Sequence, residues 1–412
     1  MAEIDNAPPG IPEPALGGAR RVAALVLLLM AGILAGTQLG KIAPLIPWYQ
    51  AEAGLSLVSV GWLTSTLGLF VALAALPAAF VIDRVGLYRS YVFSAAALAL
   101  GSIVLALAQS PVAVIGARLI EAVGYLVIVI AIPALLAVLA PDRLRAPALA
   151  IWGGFVPLGY AVADFMSAAM LLAFTPQAFL LASAGAFAVL ALAGALLAAG
   201  LGPAGDAVAS NWARETGSNQ LSSSFSWPVI AFALAFGAYV VLSIGFFTFL
   251  PAFVAEGPAV MLSAGVIALL VPIGNFLAGA LLRGRDVRFV AALIAGGFLV
   301  SAVSAVPFFS ASTPLTATLA AAVFAIAGGV IAAAVFAGVP YIVPAGGSAA
   351  IVIGLIAQSG GLGTLAGPPF AGLVIERYGW PGFGWALAVL SLCGLACIAP
   401  LLFARRKPAW QR

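Results

Sequence analysis

The run from Pro111 to Ala140, PVAVIGARLIEAVGYLVIVIAIPALLAVLA, constrains the fold more than any other stretch. As a helix rising about 1.5 Å per residue, it is long enough to cross a hydrocarbon core of about 30 Å. It also carries Arg118 and Glu121, about a third of the way along. An ionised group at that depth costs at least about 2.5 kcal/mol unless it is paired or faces water. A spanning helix with two such groups, three residues apart on one face, is expected to line a water-filled cavity that the rest of the chain supports.

The remaining sequence has the same character. Hydrophobic residues make up 64% of the 412 positions and charged residues only 7%, where soluble domains carry about 25% charged residues. The expected class is an all-α, polytopic membrane protein. The first apolar run follows a polar, Pro-rich arm and leads into a full span, so no cleavable signal peptide is expected. Within the N-terminal arm, residues 1–20, the stretch 1–18 has the composition of a disordered segment. A net charge of +4 reflects loop topology here rather than nucleic-acid binding. The chain contains no histidine, which removes the commonest general base and metal ligand. Neither a metal nor a cofactor is expected. Cys393 and Cys397, four apart in an apolar stretch, read as packing residues.

Twelve spans can be drawn, over residues 22–47, 58–82, 90–109, 111–140, 147–173, 177–201, 227–254, 258–282, 288–310, 314–342, 348–375 and 380–404. The polar insert 202–226 divides them into a first bundle, 21–201, and a second, 227–404, followed by a basic tail, 405–412. Alternate loops hold Arg84, Arg89, Arg143, Arg145, Arg214, Arg283, Arg285 and Arg288, and both termini are basic, whereas the opposite loops hold only Arg377. The positive-inside rule therefore places both termini in the cytoplasm, with the protein in the cytoplasmic (inner) membrane.

The halves repeat. DRVGLYR after the second span aligns with LRGRDVR after the eighth, matching Arg84 to Arg283 and Arg89 to Arg288. Pro157-Leu-Gly159 in span five matches Gly361-Leu-Gly363 in span eleven, and Pro47 matches Pro251. A common offset of about 200 residues is the mark of a two-fold pseudosymmetric carrier.

These features resemble the major facilitator superfamily. That family's loop motif, Gly-x-x-x-Asp-Arg-x-Gly-Arg-Arg, is matched at Asp83, Arg84 and Gly86; Ala79 replaces the first glycine, and Leu87 and Tyr88 precede Arg89. Its fourth-span motif is matched at Arg118, Glu121 and Gly124. GKIAPLIP, GWLTS, RLIEAVG with IPALLA, and QSGGLGTLAGPP look most like the cyanate-permease-like group of small-solute transporters. The proton-antiporter motif of span five is absent from WGGFVPLGYAVAD, and only span eleven has the glycine richness of nitrate porters. The resemblance implies two six-helix bundles rocking about a central site, with spans one and four facing it. It also implies that Asp83, Arg84, Gly86 and Arg89 form a latch between spans that gates the conformational change.

Four ionisable residues lie well inside spans: Lys41, Arg118, Glu121 and Asp164. Lys41 lies about 9 Å and Arg118 about 10 Å from the outer ends of their spans, with Glu121 a turn deeper and Asp164 near Glu121's level. One reading is an anion site, with Arg118's planar fork on a carboxylate and Lys41 as a mobile point charge. The other is two internal ion pairs, with Arg118 on Glu121 or Asp164 and Lys41 on the remaining acid. The two are compatible if cargo competes with a carboxylate for the cations. Asp164, with no basic neighbour in its span, and Glu121 are the candidates to carry a proton. The second half offers Tyr239, Phe247, Asn275 and Gln358, a neutral wall that suits the body of a small organic anion.

The expected function is secondary active transport of a small organic anion by alternating access, with proton symport as an option, by a monomer. No P-loop or soluble ATPase domain is present, and no clustered nucleophile and base suggests an enzyme. Proton-driven export of a neutral or cationic drug is the alternative within the class. A non-transporting membrane sensor is the alternative outside it.

Overall fold

The computed structural model describes residues 18–141, 144, 148, 151–201, 224–256, 260–282, 286–344 and 349–403. Most of the linker, the two ends of the chain, and Arg143, Arg145, Arg214, Arg283 and Arg285 lie outside them. The described residues form helices α1 Gly18–Gly40, α2 Ile46–Ala53, α3 Leu57–Val85, α4 Leu87–Leu107, α5 Pro111–Leu139, α6 Phe155–Met170 and α7 Pro176–Leu201. They continue with α8 Trp227–Glu256, α9 Ala264–Leu281, α10 Val287–Ser310, α11 Pro314–Ile342 and α12 Ala349–Leu402. Ten described helical stretches are long and apolar enough to cross a membrane. One of these, α12, breaks at Gly379, whose φ of 67° suits glycine alone. With the break counted and the shorter apolar helix Phe155–Met170 added, the crossings number twelve. The chain is an integral, all-helical membrane protein.

Helix starts follow local chemistry. Ser110, Ser263 and Thr313 each accept a hydrogen bond from the backbone N–H three residues on, and Asp286 does the same for Phe289. Proline follows Ser110 and Thr313 at the first helical position, where its missing N–H costs nothing. The first span is not one helix. The α1 ladder ends where the Lys41 N–H meets the Thr37 carbonyl, and a 3₁₀ turn, Ala43–Leu45, precedes α2. Pro44 and Pro47 prevent simple continuation.

The helices gather into two compact units. Described residues up to Trp48 and from Thr66 to Leu201 form the first; Tyr49–Ser65 joins the second, with everything from Ser224 on. The division is thus not a simple cut at the linker. Within the second unit, Gly61 lies against the Pro368 backbone and Gly372 against that of Leu57. Val58 N–H reaches Glu376 at 3.2 Å, and Ser65 Oγ donates to the Thr364 carbonyl at 3.1 Å.

Each unit repeats the other's pairings. In the first, α1 packs on α6, and α4 on α5 and α7. In the second, α8 and α10 both pack on α12, and α10 packs on α11. Gly159 meets the Gly36–Thr37 backbone, and its counterpart Gly363 meets the Gly237 carbonyl. Helices α5 and α11 have the same length and the same hydroxyl-proline start. In that register Phe324 is the counterpart of Glu121 and Ala321 that of Arg118.

Candidate functional site

The end of α1 and the middle of α5 build a charged cluster inside the first unit. Because the helix breaks after Gly40, the Gln38 carbonyl is left for a side chain, and both terminal nitrogens of Arg118 donate to it at 3.2 Å. A cation at a helix C-terminus also offsets the macrodipole. Arg118 Nη1 donates to Glu121 Oε2 at 2.6 Å, across one helical turn. Lys41 Nζ donates to Glu121 Oε1, to Gln38 Oε1 at 2.7 Å and to Ser102 Oγ at 2.9 Å. Ser102 in turn donates to Glu121 Oε1 at 2.8 Å, and Gln38 Nε2 reaches Ser183 Oγ on α7 at 3.3 Å.

Two sequence expectations change here. Lys41 and Arg118 share one acid, Glu121. They also do not project into open water. Lys41 is 1% exposed and Arg118 and Glu121 are 0% exposed, so the charges are sealed among α1, α4 and α5. The physical reason is the break in span one, which lets the chain after Gly40 turn Lys41 inward beside Ser102. Gln38 and Ser102 went unnoticed in the sequence. Gln38 lies three residues before Lys41, on the same helix face, and that spacing was the available signal.

Asp164 lies half-buried on α6, where its backbone carbonyl accepts from Ser167 Oγ at 2.8 Å. Tyr239 and Phe247 are buried on α8. With Ser243, Ser301 and Phe324 they line a cavity in the second unit with room for about one water. These two candidates for the neutral wall thus lie on one small cavity. Phe324, the counterpart of Glu121, packs on Phe246 with ring centroids 4.6 Å apart. An aromatic contact therefore stands where the first unit has its charges. Asn275 is half-buried on α9, and among the described residues its Oδ1 has no hydrogen-bond partner. Gln358 is half-buried on α12.

Of the loop motif, Asp83 lies in the last turn of α3, and its side chain is outside the described residues. Arg84 and Arg89 are exposed on either side of Gly86. Gly86 starts α4 with a φ of 96°, a conformation that explains why a glycine stands there. Among the described residues, no group of three or more acidic or cysteine side chains is placed to hold a metal.

The fold has solved relatives. A bacterial homologue of the human lysosomal transporter Spinster superposes with a TM-score of 0.76 at 18% identity, covering 96% of this chain and 100% of that one. A POT family transporter bound to a thioalcohol-conjugated peptide gives 0.71 at 13% identity, covering 93% and 97%. The human organic anion transporter TETRAN gives 0.61 at 18% identity, covering 93% and 100%. At such identities the likeness is one of fold. No curated protein matches the chain by sequence. The Major Facilitator Superfamily model, however, matches residues 28–361, most of the chain and most of each repeated half. The chain belongs to the Major Facilitator Superfamily, a family of secondary transporters rather than enzymes.

Proposed function

We propose that this transporter carries a small organic anion across the cytoplasmic membrane, with both termini on the cytoplasmic side. The observation behind this reading is the convergence of Lys41 and Arg118 on one carboxylate in the membrane interior. A fork and a point charge already set around a carboxylate are the groups an anionic cargo needs. The name of TETRAN, an organic anion transporter of the same fold, agrees with it. So do the stretches in spans one, two, four and eleven that look like the cyanate-permease-like group. In this reading Asn275, Gln358, Tyr239 and Phe247 contact the cargo's neutral body once the site opens. Asp164 or Glu121 carries any accompanying proton, and Asp83, Arg84, Gly86 and Arg89 act as the latch.

Thermal unfolding of the purified protein with a panel of small anions, neutral solutes and organic cations tests the reading. A ligand at about 100 times its Kd stabilises the folded state by about 2.7 kcal/mol. Small anions are expected to raise the transition temperature, and Arg118→Lys to abolish the shift. A shift produced by organic cations or neutral amphiphiles, with none from any anion, would favour drug export instead.

A further inference from the structure

Glu121 fills the site that its neighbours create. Oε1 accepts from Lys41 and Ser102, Oε2 accepts from Arg118, and the cluster is closed to water. A carboxylate held this way has the chemistry of a carboxylate cargo already in place. A second anion entering beside it would meet a like charge in a medium of low dielectric, where repulsion is strong. Protonating Glu121 removes that repulsion. Conversely, Glu121 has no reason to take a proton while Lys41 and Arg118 both donate to it. Anion entry and proton uptake each make the other favourable, which is the definition of coupled binding.

We propose that Glu121 is a resident stand-in for the cargo, and that a monocarboxylate displaces it from Lys41 and Arg118 as Glu121 takes up one proton. This rests on the anion reading above and adds the class of cargo and the coupling group. The proton comes from the aqueous phase to which the site opens, bonds to a Glu121 carboxylate oxygen, and leaves on the other side as Glu121 reclaims its donors. Ser102 now donates to Oε1 and can turn to accept from the new O–H. Empty, Lys41, Arg118 and ionised Glu121 carry one net positive charge. Loaded, with Glu121 neutral and a monoanion present, they carry the same. The donors hold one carboxylate, so a cargo with one carboxylate matches what it replaces. Proton and anion then cross together with no net charge, and the membrane potential neither helps nor opposes them.

Among the described residues, Glu121 is faced by Lys41 beyond α1, Arg118 on its own helix, Ser102 on α4 and, through Lys41, Gln38; Tyr160 and Asp164 lie on α6, which packs on α1. Tyr125 lies a turn further along α5. On α4 the other titratable groups, Tyr88, Arg89 and Tyr91, are about 16 Å or more from Ser102 along the helix.

The test uses purified full-length protein and labelled pyruvate, lactate and benzoate, all ionised across the range examined. Binding to the wild type is expected to weaken about tenfold for each pH unit of increase, as one-proton linkage requires. In weakly buffered solution each anion bound should remove one proton from the medium. Glu121→Gln, which mimics the protonated acid, should bind with an affinity that no longer varies with pH. It should still exchange anion, and should not accumulate it on a proton gradient. Wild-type binding without proton uptake would overturn the exchange while leaving the anion reading standing. A pH slope that persists in Glu121→Gln would place the proton elsewhere and likewise overturn it. Failure of the wild type to bind any of the three at any pH would remove the monocarboxylate cargo, and with it the exchange. The thermal panel then decides whether another small anion takes the site. Should Glu121→Gln fail to fold, Asp164→Asn replaces it: one proton taken up per anion in that variant supports Glu121 as the acceptor, and loss of the uptake overturns the exchange.

Discussion

Arg118→Ala is expected to lower the unfolding free energy by about 3 to 5 kcal/mol, the range for breaking a buried ion pair by removing one partner. The loss has two sources. Glu121 keeps only Lys41 and Ser102 in a sealed setting, and the Gln38 carbonyl loses both of its guanidinium donors. The break in span one depends on that carbonyl being satisfied, so the variant should also loosen residues 38–46. Arg118→Lys restores charge without the fork and should recover part of the stability. Unfolding of detergent-purified variants, read by helical circular dichroism, measures both. Equal stability of wild type and Arg118→Ala would mean that the cluster holds nothing together.

A comparably large effect is expected where α1 crosses α6. A Cβ at Gly159 would fall on the Gly36–Thr37 backbone, and backbone cannot rotate away as a side chain can. Gly159→Leu should cost about 3 kcal/mol or more, the upper end for overpacking. Gly363→Leu should act similarly where α12 meets α8, since its Cβ would lie 2.7 Å from the Gly237 carbonyl. Gly116→Ala is the control. No heavy atom lies within 4 Å of its Cβ position, and the helix interior should gain about 0.5 to 1 kcal/mol. Folded yield of the variants distinguishes the cases. Normal yield of Gly159→Leu would contradict the close crossing.

How much of this was legible in the sequence differs by element. Span four was read as 111–140 and is Pro111–Leu139; span ten was read as 314–342 and is Pro314–Ile342. Their ends are written locally, in Ser110-Pro111 and Thr313-Pro314. Hydropathy starts span eight at 258, but the helix starts at Ala264, because the Ser263 cap lies inside an apolar run. Hydropathy makes span one continuous over 22–47, whereas Pro44 and Pro47 mark its break. The i, i+3 contact of Arg118 with Glu121 could be read because both residues lie on one helix. That Lys41 shares the same carboxylate could not, since it depends on how the end of α1 packs against α5, eighty positions away. The role of Ser102 was hidden for the same reason: a serine in an apolar helix has no signature until its neighbours are known.

In the proposed function the cations around Glu121 serve a small organic anion. Counterflow in proteoliposomes, with no proton gradient and no membrane potential, tests it most directly, because exchange requires the site and nothing else. Vesicles loaded with an unlabelled small monocarboxylate should accumulate the labelled one transiently above its external concentration. Arg118→Lys, reconstituted as folded protein, should not. Absence of exchange for every small anion, beside exchange of a neutral or cationic solute that survives in Arg118→Lys, would contradict the account.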